Sequence, residues 1–131
     1  MLDCKDGLAL SPLAVYIVDA DEFTQKALAR VMRAAGFKVV CTRSVEELMK
    51  LERPDRDAII LVDENTAHPF AESIPRYLQD KQQTLPVIFL TDYDSEHARE
   101  EARRAGAVGY FRKPVDDHAL LDTISFAVQH S

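Results

Sequence analysis

Short continuous runs of hydrophobic residues alternate along the chain with stretches in which apolar residues recur at helical spacing. The apolar runs lie at residues 13–18, 37–41, 58–62, 85–90 and 108–111. Runs of this length predict strands that are buried on both faces, while Lys38 in the second run is typical of a strand at the edge of a sheet. The stretches that follow the runs predict helices over residues 21–35, 44–51, 69–83, 95–105 and 116–128.

Local signals support several of these helix boundaries. Ser44 followed by Glu47 predicts a capping box, and Gly36 and Gly106 stand where helices should end. Pro75 is expected to interrupt or reshape the third helix. For the first helix, the spacing predicts an inward face formed by Phe23, Ala27, Leu28, Val31, Met32 and Ala35.

Five buried strands that alternate with five helices predict a parallel sheet covered by helices on both faces. Right-handed crossovers then give a doubly wound α/β fold. In folds of this kind, the functional site lies at the carboxyl ends of the strands, near the point where the strand order reverses. The residues that directly follow each apolar run are therefore the first candidates for chemistry.

The length of 131 residues fits one domain, which we predict over residues 13–131, with residues 1–12 as an N-terminal tail. The formal net charge of −6 argues against nucleic acid as a direct partner. The apolar runs are too short to span a membrane and the N-terminus lacks a secretory pattern, so we expect a cytoplasmic protein. Cys4 and Cys41 are expected to be free thiols.

Polar residues with related chemistry follow four of the five apolar runs. Asp19 and Asp21 follow the first run, Asp63 the third, Thr91 the fourth and Lys113 the fifth. Each alone is explained as a helix cap or a solvated charge. In a parallel sheet, however, they converge on one edge and bring carboxylates, a hydroxyl and an ammonium group into one cleft, which indicates a site that handles phosphate.

Four segments carry a resemblance to a known family: VYIVDADEF, AIILVD, LPVIFLT and AGAVGYFRKP. Over residues 13–128 the chain resembles the receiver domains of two-component response regulators, the CheY-like group, and among them the FixJ-type receivers. The resemblance implies a flavodoxin-like (β/α)5 fold with strand order 2-1-3-4-5. It also implies a signalling domain in a phosphorelay rather than an enzyme.

The resemblance assigns a role to each residue of the constellation. Asp63 would be the nucleophile that accepts a phosphoryl group from a histidine kinase or a phosphotransfer protein. Lys113 would pair with Asp63 or with the phosphoryl group, and Thr91 would bond another phosphoryl oxygen. Thr91 and Tyr110 would form the switch that reports the added charge of about −1.5 to −2 to the outer face.

The resemblance also implies a Mg²⁺ site, because a carboxylate attacks an anionic phosphoryl donor only with help from positive charge. Its ligands would be Asp19, Asp63 and the backbone carbonyl of Asn65. Ala20 stands where the family has a second acid that is a direct ligand. Asp21, one residue further on, is a candidate substitute. We therefore expect weak Mg²⁺ binding.

The loop after Asp63 departs from the family as well. The family usually has Met-Pro and a Gly at the positions that Thr66, Ala67 and Ala71 occupy here, and Pro69 lies two residues late. We expect this loop to follow a different path beside the metal site.

The predicted helix over residues 95–105 carries many charges, and similar receivers use this helix together with the last strand and the last helix as an interaction surface. Arg103, Arg104 and Arg112 are the residues that we expect to contact a second copy of the chain or an effector protein. A solvated helix with internal ion pairs is the alternative explanation of the same pattern.

Two other functions remain open from the sequence. An atypical receiver would act as a protein-interaction module without phosphorylation. Asp19-Ala20-Asp21 also matches the DxD motif of haloacid-dehalogenase-like phosphotransferases, in which Asp19 would be the nucleophile. The identity of the nucleophile, Asp63 or Asp19, separates the receiver from the phosphotransferase.

Overall fold

The structure is a computed structural model, and it describes residues 13–54, 56–68, 73–81, 83 and 85–129. The predicted tail at residues 1–12 lies outside this part of the chain, as do Pro69 and Ala71 of the loop after Asp63. The strands are β1 (Ala14–Val18), β2 (Lys38–Thr42), β3 (Ala58–Asp63), β4 (Val87–Thr91) and β5 (Gly109–Arg112). The helices are α1 (Glu22–Ala34), α2 (Val45–Lys50), α3 (Glu64–Ala67), α4 (Ser73–Asp80), α5 (Glu96–Arg104) and α6 (Asp117–Gln129).

The five strands form one parallel sheet in the order β2-β1-β3-β4-β5, which confirms the predicted fold class. The chain moves outward from β1 to β2, returns to β3 on the other side of β1, and then continues outward. The strand order thus reverses between β1 and β3, and Val18 pairs with Val62 at the ends of these two strands. The residues that follow this pair lie at the position where such folds place their sites.

Both faces of the sheet are covered, and this explains why the central strands are continuous apolar runs. Every residue of β3 is buried. Successive residues of a strand point to opposite faces, so Phe89 packs in the cluster on one face and Ile88 in the cluster on the other.

The predicted inward face of α1 is wrong at several positions. Leu28 and Met32 are buried as expected, but Phe23 is 83% exposed, and Ala27 and Ala35 are also exposed. The helix is rotated relative to the prediction, so that it buries Gln25 and Ala29 instead.

The burial of Gln25 has a polar cause. Its side-chain amide donates hydrogen bonds to the backbone carbonyls of Thr42, at 2.9 Å, and Asp19, at 3.3 Å. These carbonyls lie at the carboxyl ends of β2 and β1, and buried carbonyls need a donor. Gln25 therefore ties the ends of two strands together beside the candidate site.

Pro75 does not interrupt its helix, contrary to the expectation from the sequence. It is the third residue of α4, within the first turn, where a backbone N–H has no partner inside the helix and proline is tolerated. Other boundary signals are confirmed: Ser44 Oγ accepts a hydrogen bond from Glu47 N at 3.1 Å. Gly36 and Gly106 have φ angles of +95° and +100° at the ends of α1 and α5.

Candidate functional site

Four strands deliver the candidate residues to one edge of the sheet. Asp63 is the last residue of β3 and is 5% exposed, and Asp19 directly follows β1 and is 1% exposed. Thr91 ends β4 and is 3% exposed. Lys113 follows β5, and its backbone N–H donates to the Thr91 carbonyl at 2.8 Å, which fixes the start of its loop. The convergence expected from the sequence is therefore present.

Lys113 pairs with both buried carboxylates. Its Nζ lies 2.8 Å from Asp63 Oδ1 and 3.0 Å from Asp19 Oδ2. The Lys113 side chain is only 14% exposed, so these pairs are shielded from solvent. Two carboxylates that share one ammonium group carry one excess negative charge when all three groups are ionised.

The pKa values reflect this shortage of positive charge. Burial raises the pKa of Asp19 above its usual range, and the nearby charge of Asp63 acts in the same direction against the hydrogen bonds that favour ionisation. Burial alone would lower the pKa of Lys113, but its contacts with Asp63 and Asp19 outweigh burial and raise it. The site would accept a further cation more readily than a further anion.

The second oxygen of Asp63 is held from the other side. Asp63 Oδ2 accepts hydrogen bonds from Thr66 N at 2.9 Å and from Thr66 Oγ1 at 2.7 Å, so that Asp63 caps the short helix α3. Thr66 Oγ1 in turn accepts a hydrogen bond from Ala20 N at 2.9 Å. The loops that follow β1 and β3 are therefore joined through one hydroxyl.

Asp21 contributes to the site through its backbone. Its N–H donates to Asp19 Oδ1 at 2.9 Å, whereas its carboxylate caps α1 by accepting from Thr24 Oγ1 at 2.7 Å and Phe23 N at 3.2 Å. These bonds lower the pKa of Asp21. Its carboxylate is thus already engaged at the start of α1, and its role as a substitute metal ligand stays a prediction.

Thr91 and Tyr110, the predicted switch pair, lie next to each other. Thr91 Oγ1 accepts a hydrogen bond from Tyr93 N at 3.0 Å. The Tyr110 hydroxyl donates to Glu64 Oε1 at 3.5 Å. Burial raises the pKa of Tyr110, while a hydrogen bond with Thr91 acts in the opposite direction. Tyr110 therefore contacts both the residue after Asp63 and the hydroxyl at the end of β4.

The donor set fits a hard divalent cation. Among the described residues there is no group of three or more His, Cys, Asp or Glu side chains that could hold a metal. Mg²⁺, however, needs only one or two carboxylates, with carbonyls and water completing its shell. Asp19 and Asp63 supply oxygen ligands and an excess negative charge, and Asn65 follows them in α3. A cation held there by Asp19, Asp63 and the Asn65 carbonyl remains a prediction.

Two residues of the site were missed as contributors. Thr66 was noted from the sequence as a departure from the family, but its bonds to Asp63 and Ala20 were not foreseen. Glu64, next to Asp63, is the second, through its contact with the Tyr110 hydroxyl. The sequence contains one signal for the bonds of Thr66, because Asp is among the residues preferred at a helix N-cap, where its side chain accepts from the N–H two or three residues later.

The predicted interaction surface carries ion pairs within its own helix. Arg103 pairs with Glu100, and Arg104 Nε lies 3.4 Å from the same carboxylate. Arg112 is exposed at the end of β5. Arg103 and Arg104 thus pair with an acid on their own helix, and their contact with a partner stays a prediction.

The fold and the site together define a class of protein. Residues 15–125 match the response regulator receiver domain family, and the chain belongs to that family. It is therefore a CheY-like signalling domain of the kind used in two-component systems.

Among its relatives is the transcriptional regulatory protein FixJ of Rhizobium meliloti, which is 27% identical over 92% of this chain and 59% of that protein. The response regulator DivK of Brucella ovis is 26% identical over 85% of this chain and 92% of that protein. The crystal structure of FixJ-N superposes with a TM-score of 0.80 at 28% identity, and covers 93% of this chain and 98% of that chain.

The chain spans about three fifths of the length of FixJ and of the response regulator TodT of Pseudomonas putida, since the matches cover 59% and 57% of those proteins. No helix within the described residues is long and apolar enough to cross a membrane.

Proposed function

We propose that this receiver domain accepts a phosphoryl group on Asp63. The observation that carries the proposal is the position of the Asp63 carboxylate, buried at the switch point of the sheet and 2.8 Å from the Lys113 ammonium group. Thr91 ends the neighbouring strand, and Asp19 lies on the other side of Lys113. This combination supports phosphoryl transfer better than a purely structural ion pair, because two buried acids that share one base cost stability, and a functional role is a reason to retain them.

In the proposed reaction a carboxylate oxygen of Asp63 attacks the phosphorus of a phosphohistidine. The new O–P bond forms as the P–N bond breaks, and the electron pair of that bond leaves with the imidazole. The Lys113 ammonium stabilises negative charge on one phosphoryl oxygen, and the Thr91 hydroxyl donates a hydrogen bond to a second phosphoryl oxygen. A Mg²⁺ ion, when bound, supplies the additional positive charge.

The surface beside the site suits a protein donor. Phe23 is 83% exposed at the start of α1, and it lines the same shallow cleft as Lys113 and Pro114. An exposed aromatic side chain next to a charged site is typical of a surface that packs against another protein. This supports a protein partner, which on the proposed function would be a histidine kinase or a phosphotransfer protein in the cytoplasm.

Mass spectrometry after treatment with acetyl phosphate and Mg²⁺ tests the proposal. We expect one acid-stable, base-labile phosphoryl group on Asp63, and none on the Asp63→Asn variant. Phosphorylation of the Asp63→Asn variant, or a label on Asp19, would contradict the assignment. A label on Asp19 would instead support the haloacid-dehalogenase-like reaction.

A second candidate function has its own support. Asp63 Oδ2 already accepts two hydrogen bonds from Thr66, and Ala20 stands in the turn after β1 where the family has an acid. A receiver whose acceptor is closed in this way would act as an interaction module without phosphorylation. Absence of any label on wild-type protein, with a normal fold, would favour this second function.

A further inference from the structure

Thr66 stands at the centre of a small hydrogen-bond network in the site. Its backbone N–H and its hydroxyl both donate to Asp63 Oδ2, at 2.9 and 2.7 Å. The hydroxyl also accepts from Ala20 N at 2.9 Å. Since a hydroxyl has one hydrogen to donate, the hydrogen of Thr66 Oγ1 is fully committed to Asp63.

This network engages the acceptor carboxylate on both oxygens. Lys113 lies against Oδ1, and the two donors of Thr66 lie against Oδ2. A cation or a phosphoryl group that binds Oδ2 needs a lone pair, so one of these donors has to leave. The backbone N–H is fixed by α3, but the hydroxyl rotates about one side-chain bond, and the hydroxyl is therefore the donor that can leave.

The hydroxyl does more than cap α3. The backbone N–H of Thr66 already supplies the capping bond, whereas the hydroxyl adds a link to Ala20, which is 46 residues away in sequence. That link joins the loop after β1 to the loop after β3. A cation between Asp19 and Asp63 would join the same two loops. Because a cation on Asp63 Oδ2 would displace the hydroxyl, the hydroxyl bridge and the cation are alternatives.

We propose that the Thr66 hydroxyl is a latch that closes the acceptor site, and that it releases Asp63 and Ala20 when a divalent cation binds. Thr66 is thus a positioning residue that sets the affinity for the cation and the reactivity of Asp63. The inference rests on the proposed function of Asp63. Weak cation binding then has two causes, the hydroxyl of Thr66 and the missing acid at position 20.

Calorimetric titration of the full chain with Mg²⁺ tests the latch. Thr66→Val removes the hydroxyl and preserves the shape of the side chain and the backbone N–H. We expect it to bind Mg²⁺ about tenfold more tightly, the effect of releasing one hydrogen bond to a charged oxygen. Thr66→Ser retains a hydroxyl and is the matched control, with an affinity near that of wild type.

A spectroscopic measurement reports on the bridge directly. In wild-type protein, the amide proton resonance of Ala20 should shift on addition of Mg²⁺ towards its position in metal-free Thr66→Val, because both changes remove the bond to Thr66 Oγ1. Circular dichroism establishes that the variants fold, and Thr66→Ala replaces Thr66→Val if the valine variant does not.

The outcomes separate the latch from the acceptor chemistry. Tighter Mg²⁺ binding by Thr66→Val, together with about tenfold faster labelling by acetyl phosphate, supports both. Tighter binding without labelling of any variant supports the latch and contradicts phosphoryl transfer to Asp63. Equal or weaker Mg²⁺ binding by the folded Thr66→Val or Thr66→Ala variant, or no Mg²⁺ binding by any variant, overturns the latch.

Discussion

At the scale of single residues, the site is organised by ion pairs and hydrogen bonds between buried polar groups, with one negative charge in excess. Lys113 holds two carboxylates, and Tyr110 keeps its proton because burial disfavours the phenolate and Glu64 lies nearby. The hydroxyl of Tyr110 is thus a neutral donor to Glu64, the residue after Asp63. A phosphoryl group on Asp63 would make the electrostatic potential at Glu64 and Thr91 more negative. Tyr110 interacts with both residues.

The raised pKa of Tyr110 predicts an alkaline loss of stability. Between the ordinary value of 10.0 and the raised value, the folded chain holds a proton that the unfolded chain has lost, so the free energy of unfolding falls as the pH rises. The raised pKa of Lys113 adds to this loss above 10.5. The Tyr110→Phe variant should therefore lose less stability than wild type over this range.

Urea unfolding across the alkaline range measures this difference. Tyr93→Phe is the matched control, since Tyr93 is 84% exposed and its removal should leave the wild-type slope unchanged. Identical slopes for wild type and Tyr110→Phe would show that Tyr110 ionises with equal ease in the folded and unfolded chains.

The main acidic and basic members of the site could be predicted from the sequence because each directly follows an apolar run. Parallel strands end at one edge, so the position of Asp63, Asp19 and Lys113 follows from topology alone. The direction in which a side chain points does not follow from topology. The bonds of Asp21 to α1 and of Thr66 to Asp63 depend on loop conformation, which the pattern of apolar residues leaves unspecified.

At the scale of elements, α5 differs from the other surface helices in having little apolar area. Ala102 is its buried residue, and Glu100 forms pairs with both Arg103 and Arg104. Exposed pairs of this kind contribute little to stability. The helix can therefore exchange these partners for those of another molecule at small cost.

Reversal of the charges of Arg103 and Arg104 to Glu should abolish association through this surface while the fold is preserved. The expected cost to the helix is small, about 0.2–0.5 kcal/mol for each like-charge pair with Glu100. Sedimentation of acetyl phosphate-treated protein measures the association. Lys26→Glu disrupts a similar pair with Glu22 on α1 and should leave association intact.

Two outcomes would contradict this prediction. Wild-type protein that sediments as a monomer after treatment would exclude the homodimer. A double variant that associates as well as wild type, with normal circular dichroism, would place the interface elsewhere.

The elements themselves were largely predictable, and the failure at α1 shows the limit. All five strands occur near the predicted positions because burial on both faces demands continuous apolar runs. The inward face of α1 was wrong because hydrophobic spacing assigns a glutamine to solvent. Gln25 is buried to satisfy two backbone carbonyls, a requirement that arises only when β1 and β2 lie side by side.

At the scale of the whole molecule, the sheet lies between two apolar clusters, and its strands contribute residues to both. Ile88 and Phe89 are adjacent in β4 yet pack in different clusters. Since both clusters need the same strands, neither layer of helices should remain folded without the other.

Replacement of either residue by alanine should lower the midpoint of one common unfolding transition. We expect a loss of about 2–5 kcal/mol for Ile88→Ala and about 3–5 kcal/mol for Phe89→Ala, because both side chains are fully buried. Unfolding followed by far-ultraviolet circular dichroism and by tyrosine fluorescence should give one midpoint for each variant. Separate midpoints would show that the two layers unfold independently.

The ion pair between Lys113 and Asp19 joins residues that are 94 positions apart in the chain. During synthesis on the ribosome, both carboxylates therefore exist long before the ammonium group that holds them together. A nascent chain that has not yet reached Lys113 lacks the ammonium group that pairs with both carboxylates. On the proposed function, phosphoryl transfer to Asp63 therefore requires a chain in which β5 and Lys113 have already been synthesised.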